Sequence, residues 1–224
     1  MNALVAAQTV SFDNPRHIEP EDQVRADFYA LLATLLYRAP DESLLRAMML
    51  SDEPETEPTG GPTGIPTGDV ADELAKAWAA LAAASGAVSH DAVEEEYAAV
   101  FVGVGRPPVM LFGSFYLSGF MNEKPLAELR GDLIALGFAR NPEVTEPEDH
   151  LAALCDVMRA MILGDIADAP ATIEQQRRFF VRHMQPWVLQ CCDAMTQSEK
   201  SNYYRKVAAF AKAFFEIEIQ AFEM

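Results

Sequence analysis

Apolar residues return every three or four positions along most of this chain, and that spacing constrains the fold more than any other feature. Val24, Phe28, Leu31, Leu32 and Leu35 form one such stripe, behind the acidic start Glu19-Pro20-Glu21-Asp22. Leu74, Trp78 and Leu81 form a second, and Val93, Tyr97, Val100 and Phe101 a third. Leu126, Leu129 and Leu133 follow, and Tyr203, Val207, Phe210, Phe214 and Ile217 repeat the pattern late in the chain. A period of 3.6 gathers side chains on one face of an α-helix, whereas a half-buried strand needs a period of two. No segment shows convincing alternation. The expectation is an all-α chain, a single-domain helical bundle of about eight helices of ordinary length.

Punctuation residues place the helix ends. A second helix is expected from Asp41, carrying Leu44, Leu45, Met48 and Met49, and others after Asp69 and Ser89. Gly86, Gly137 and Gly164 read as stops, and so does the run from Gly103 to Pro108. Thr172 with Gln175 spells a capping box, and Ser198 is the expected cap of the last helix. Between residues 52 and 69 the pattern breaks into Pro58-Thr59-Gly60, Pro62-Thr63-Gly64 and Pro66-Thr67-Gly68. Nothing there can build a core, so it reads as a disordered surface insert in one helical domain over residues 19–224. Residues 1–18 read as a flexible N-terminus.

Half of the 224 residues are hydrophobic, enough for a substantial core, and the formal net charge is −17. So acidic a chain is a poor partner for nucleic acid or an anionic membrane, and it favours a basic partner. No run approaches a membrane span, and Met1 to Val10 lacks the basic start of a secretory signal. Cys155, Cys191 and Cys192 make a poor disulfide framework. A cytoplasmic protein without stable membrane insertion is expected, as monomer or homodimer.

Thr145-Glu146-Pro147-Glu148-Asp149-His150 is the densest chemistry in the chain. Thr145 and Glu148 have capping-box spacing, and the series Leu151, Leu154, Cys155, Met158, Met161, Ile162 follows at helical spacing. Acids in a first turn suit the positive end of the helix dipole, which explains Glu146, Glu148 and Asp149 without a function. His150 beside Asp149 is not explained that way. Elsewhere the chemistry of an active site is missing. Gly103-x-Gly105 follows a helix and is not a phosphate loop, and Ser114 is not in a hydrolase elbow. No His completes the Glu-x-x-His unit of a di-iron bundle. A metal-binding protein or enzyme built on Glu146, Asp149 and His150 stays as an alternative, as does an acidic adaptor with no specific cargo.

The segment 97–121 is rich in aromatics and flanked by Gly and Pro. Most of Phe101, Phe112, Phe115, Phe120 and Met121 are core residues by default. Such a segment can also line a peptide groove, and beside Glu146, Glu148 and Asp149 it would suit a basic, hydrophobic peptide.

Several short motifs together are more specific than any one. Tyr97-x-x-x-Phe101, the Gly-x-Gly-x-Pro turn, Ser114-x-Tyr116, Glu146-Pro147-x-Asp149-His150 and the run Gln176 to Trp187 stand in this order. The chain thereby resembles the TorD/DmsD family of molybdoenzyme maturation chaperones, which is related to NarJ. The resemblance implies an all-helical fold, no catalysis and no cofactor. It implies binding of the twin-arginine signal peptide and apo-form of a molybdenum-cofactor oxidoreductase, assistance in cofactor insertion, and prevention of premature export. Formate dehydrogenase and dimethyl sulfoxide or trimethylamine oxide reductase types are the client classes it leaves open. Carried over position by position, it assigns binding to Tyr97, Phe101, Pro108, Ser114 and Tyr116, and to Glu146, Pro147, Asp149 and His150; the aromatic segment adds Phe115. In this assignment Glu146 and Asp149 attract the peptide's arginines, Phe101, Phe115 and Tyr116 line the groove, and His150 is a contact or a hinge. Leu111-Phe112-Gly113 and the Pro-Thr-Gly insert depart from the family pattern.

Overall fold

The structure is a computed structural model that describes residues 4–6, 18–51, 69–103, 105–121, 123–141, 144, 146–165 and 170–223. Its elements begin with β1 (Leu4–Ala6), α1 (Pro20–Tyr37), α2 (Glu42–Leu50), α3 (Asp69–Ala87) and α4 (His90–Tyr97). A π-helical turn, Ala98–Val102, precedes α5 (Gly113–Ser118), α6 (Lys124–Ala135), β2 (Phe138–Arg140) and α7 (Leu151–Leu163). The chain ends with α8 (Ile173–His183), α9 (Val188–Gln197) and α10 (Tyr203–Glu223). The all-α expectation is met, with ten α-helices among the described residues. The insert, Thr145 and all but four of residues 1–18 lie outside those residues.

By its contacts the chain groups into two compact units, one of Met1–Ala33 with Leu111–Trp187 and one of Thr34–Met110 with Val188–Met224. In the first unit α7 is the core. From Leu151 to Ile162 only Asp156 and Arg159 escape full burial, as expected of a helix apolar nearly all round. Helix α8 and strand β1 pack on α7, and α5 and α8 pack on α6. Helix α6 buries Leu126, Leu129 and Leu133, the stripe read from the sequence. The Thr172 box forms as expected: Gln175 N donates to Thr172 Oγ1 at 3.3 Å, and Thr172 N donates to Gln175 Oε1 at 2.8 Å. β1 and β2 pair antiparallel, Val5 opposite Ala139, a ribbon the sequence reading did not foresee. Three residues are too few for any periodicity to register.

In the second unit α10 takes the central place and packs on α3, α4 and α9, while α2 packs on α3. Its buried face carries Tyr203, Tyr204, Val207, Phe210, Phe214 and Phe215. Ser198 is not its cap, because the helix starts five residues later. Glu96 of α4 does that work: Oε1 accepts from the amides of Asn202 (2.7 Å) and Tyr204 (2.8 Å), and Oε2 from Tyr203 (3.0 Å). A carboxylate at a helix N-terminus satisfies donors that the helix cannot. Local sequence cannot reveal a cap that comes from 106 residues away. Helix α9 also escaped the reading, although Val188, Cys191, Cys192 and Met195 are its buried stripe. The two cysteines serve as core residues, and with Cys155 all three are buried and outside any disulfide.

No described helix is long and apolar enough to cross a membrane. Replacing Glu96 by Ala should lower unfolding free energy by about 2 kcal/mol, because three donors lose a charged acceptor. In urea titrations the midpoint should fall with the slope unchanged. An unmoved midpoint would mean that water serves those amides equally well.

Candidate functional site

Helix α7 begins one residue after His150, and its first turn holds no acid. The expectation of Glu146, Glu148 and Asp149 as first-turn acids is therefore corrected: they precede the helix, and His150 itself is the cap. Its Nδ1 accepts the Ala152 amide at 3.2 Å. The imidazole stands edge-on to Phe112, centroids 5.0 Å apart. Burial pushes its pKa from the usual 6.5 to about 4, against the opposing charge of Glu146. The neutral ring is the form in which Nδ1 can accept.

With the acids displaced from the helix, each acquires its own surroundings. Glu148 is buried and held by two arginines. Its Oε2 accepts from Arg130 Nε (3.0 Å) and Nη2 (2.8 Å), and Oε1 lies 3.9 Å from Arg140 Nη1. Burial alone would raise its pKa, but the Arg130 hydrogen bond and the two positive charges outweigh it and hold the carboxyl below its ordinary value. Glu146 and Pro147 are half-buried.

Asp149 joins the two sequence motifs. Residues 111–114 run antiparallel to 149–151, with Phe112 bridged to His150. Leu151 N donates to Leu111 O at 2.8 Å, and Gly113 N to Asp149 O at 3.0 Å. The Asp149 carboxylate continues this seam, Oδ2 accepting from Ser114 N at 2.7 Å and so capping α5 from outside. Its Oδ1 and the Ser114 Oγ are buried and have no hydrogen-bond partner. Both residues line a cleft of about 110 Å³ with Gly113, Leu117, Pro125, Glu128, Leu129, Arg182 and His183. Buried polar atoms are nearly always paired, so two orphans lining one cleft single out this place in the first unit.

Aromatic side chains brace one wall. Tyr116 stacks on Trp187 at 5.4 Å and 19°, and Phe115 meets Tyr116 edge-on at 5.2 Å. Trp187 Nε1 donates to His183 O at 2.7 Å. A Cβ on Gly113 would stand 3.0 Å from the Trp187 indole, tighter than ordinary van der Waals contact, so any side chain there would require the indole to shift. Leu117 and Phe120 are exposed, Phe120 by 70%.

Thus Ser114, Asp149 and His150 share one seam, and Phe115 and Tyr116 share one aromatic row. Tyr97, Phe101 and Pro108 belong to the second unit. There Tyr97 Oη donates to Tyr37 O at 2.7 Å, and its ring packs on Phe101 (5.1 Å) and Tyr204 (5.7 Å). Phe101 meets Tyr204 edge-on at 4.8 Å. Pro108 is exposed, after a turn at Gly103, whose φ of 47° favours glycine. Sequence reasoning passed over Arg130, Glu128, Arg182 and His183 as site residues, although the last two lie inside the run Gln176 to Trp187. Among the described residues no cluster of three or more His, Cys, Asp and Glu could hold a metal ion.

Residues 67–193 match the sequence model of the nitrate reductase delta subunit family. Relatives described as chaperone protein TorD include one from Vibrio cholerae serotype O1, 25% identical over 127 residues, 54% of this chain and 58% of the relative. Another, from Aliivibrio fischeri, is 22% identical over 132 residues, 56% of this chain and 61% of the relative. The match therefore spans a little over half the length of these relatives. A proposed redox enzyme maturation protein from Archaeoglobus fulgidus has a similar fold, with a TM-score of 0.51 at 17% identity, over 93% of this chain and 99% of that one.

The buried cap makes a pH prediction. Above pH 6.5 His150 is neutral folded and unfolded; between 6.5 and about 4 only the unfolded chain takes its proton, so stability falls as pH falls through that window. His183, also pushed down by burial, adds a slope of the same sign. His150→Gln should lose less stability across the window than the wild type, by on the order of 3 kcal/mol. Urea midpoints measured from pH 7 to 4 check this, and parallel curves would show that His150 is not held neutral.

Proposed function

The chain belongs to the nitrate reductase delta subunit family, whose sequence model matches more than half of it, and we propose that it is a cytoplasmic maturation chaperone for a molybdenum-cofactor oxidoreductase. It binds the twin-arginine signal peptide and the apoprotein of its client, holds the client for cofactor insertion, and catalyses nothing itself. The observation that carries this reading is Asp149. It is a carboxylate 3% exposed, with one oxygen fixed by the Ser114 amide and the other unpartnered at a cleft. A guanidinium supplies the donors that this oxygen and the Ser114 hydroxyl lack, and an Arg–carboxylate contact is directional as well as charge-assisted.

Two further features support a peptide over a small molecule. Leu117 borders the cleft and Phe120 lies three residues on, both exposed, which suits apolar residues following the arginines. The net charge of −17 draws a basic segment toward the protein. In this reading His150 acts as a positioning residue, since its ring is occupied as the cap of α7 and it stands between Asp149 and Leu151, whose backbones bond the 111–114 segment. Asp149 Oδ2 and His150 Nδ1 are likewise engaged by backbone amides, which leaves a metal-binding reading on Glu146, Asp149 and His150 without a supporting observation.

Asp149→Asn is a selective probe, because its amide oxygen can still accept the Ser114 proton while the unpartnered acceptor becomes a donor. The variant should remain folded by circular dichroism and bind a twin-arginine signal peptide about 10- to 100-fold more weakly, the loss of one charge-assisted hydrogen bond. Wild-type affinity should also fall from low to high ionic strength. A folded variant with unchanged affinity would remove the site from the account.

A further inference from the structure

The unpartnered Asp149 oxygen and Ser114 hydroxyl are closed to solvent, so a ligand reaches them only when part of the cleft wall moves. Most of that wall is fixed. Gly113 and Ser114 belong to the backbone seam, and Leu129 and His183 are buried. His183 is tied to Asp132 besides, Nε2 to Oδ2 at 2.7 Å. The long charged side chains of the wall are Glu128 and Arg182, 42% and 49% exposed, and they hold each other.

Their contact is longer than the one Arg182 makes to Asp132. Arg182 Nη2 is 3.5 Å from Glu128 Oε2, whereas Arg182 Nη1 is 2.8 Å from Asp132 Oδ2. Glu128 divides its charge further, with Lys124 Nζ 3.5 Å from Oε1. An exposed pair of this kind is worth little and is readily exchanged. The cleft thus has a buried, unpartnered acceptor, and a guanidinium of its own at the wall, loosely bound to a carboxylate.

Resting on the signal-peptide reading, we propose that Arg182 is an internal gate, a guanidinium that occupies the Glu128 carboxylate until a client arginine takes its place and reaches Asp149. Exchange of one guanidinium for another keeps the charge at Glu128 nearly constant, so opening leaves no carboxylate bare. A lysine ammonium, lacking the planar fork, makes a poorer exchange. The gate therefore adds selectivity for arginine over other cations at some expense of affinity.

The test titrates a twin-arginine peptide, and the same peptide with lysines, against the wild-type protein, Arg182→Gln and Arg177→Gln. Arg177 is an equally exposed arginine of α8, outside the cleft and paired with Glu174, and it controls for net charge. Arg182→Gln should tighten binding of the arginine peptide about threefold or more, Arg177→Gln should change it by less than about twofold, and the lysine peptide should gain less. If Arg182→Gln proves unstable, Arg182→Lys should show the same direction with a smaller gain. Equal tightening by both Gln variants, or none by Arg182→Gln while Asp149→Asn still weakens binding, overturns the gate and leaves the signal-peptide reading intact. Failure of every form to bind the arginine peptide overturns that reading and the gate with it.

Discussion

The hydrogen bond from the Ser114 amide to the Asp149 carboxylate carries more of the first unit than its 2.7 Å length suggests. It closes the short antiparallel seam between residues 111–114 and 149–151 and starts α5. It leaves one acid oxygen and one hydroxyl facing a cleft. Around it each neighbour is constrained in turn. Gly113 lies tight against the Trp187 indole, Phe112 takes the His150 ring, and His150 starts α7 as a neutral cap. A buried, fully directed carboxylate is costly to assemble and strongly specifying once in place. Its position in a cleft therefore links fold and candidate function through one side chain.

The second unit uses the same device at the start of α10. Glu96 caps α10 from α4, with both carboxylate oxygens spent on three backbone amides. The comparison separates structure from function in an acidic protein. Glu96 is satisfied, Glu148 is satisfied by Arg130 and Arg140, and Asp149 is satisfied by half. Only the last has capacity left for a partner.

The helices were legible because each amphipathic stripe is a local property, and α1, α2, α6, α8 and the stop at Gly164 were all readable from it. The start of α7 was misplaced because Thr145-x-x-Glu148 imitates a capping box, while the cap that forms uses a buried imidazole. Burial is a tertiary fact, and so is the Glu148–Arg130 pair, whose partners stand 18 residues apart in sequence. The pairing of Asp149 with His150 was legible as unusual chemistry, and the family resemblance assigned it a binding role. Tyr97 and Phe101 were drawn into the same groove by motif order. Their neighbours in the second unit are Tyr204 and the α1 carbonyls, the contacts of an aromatic core. Arg182 was invisible as a site residue, since nothing in a solvent-facing helix position tells which carboxylate it will meet.

The central claim is that the free Asp149 oxygen accepts a client arginine. A double-mutant cycle tests it most directly, combining Asp149→Asn with replacement of each signal-peptide arginine by lysine and measuring all affinities at one ionic strength. The account predicts a coupling of about 1.5–3 kcal/mol between Asp149 and one of the two arginines, the scale of a charge-assisted hydrogen bond. Additive effects, with coupling near zero for both arginines, would contradict it and reduce Asp149 to the cap of α5.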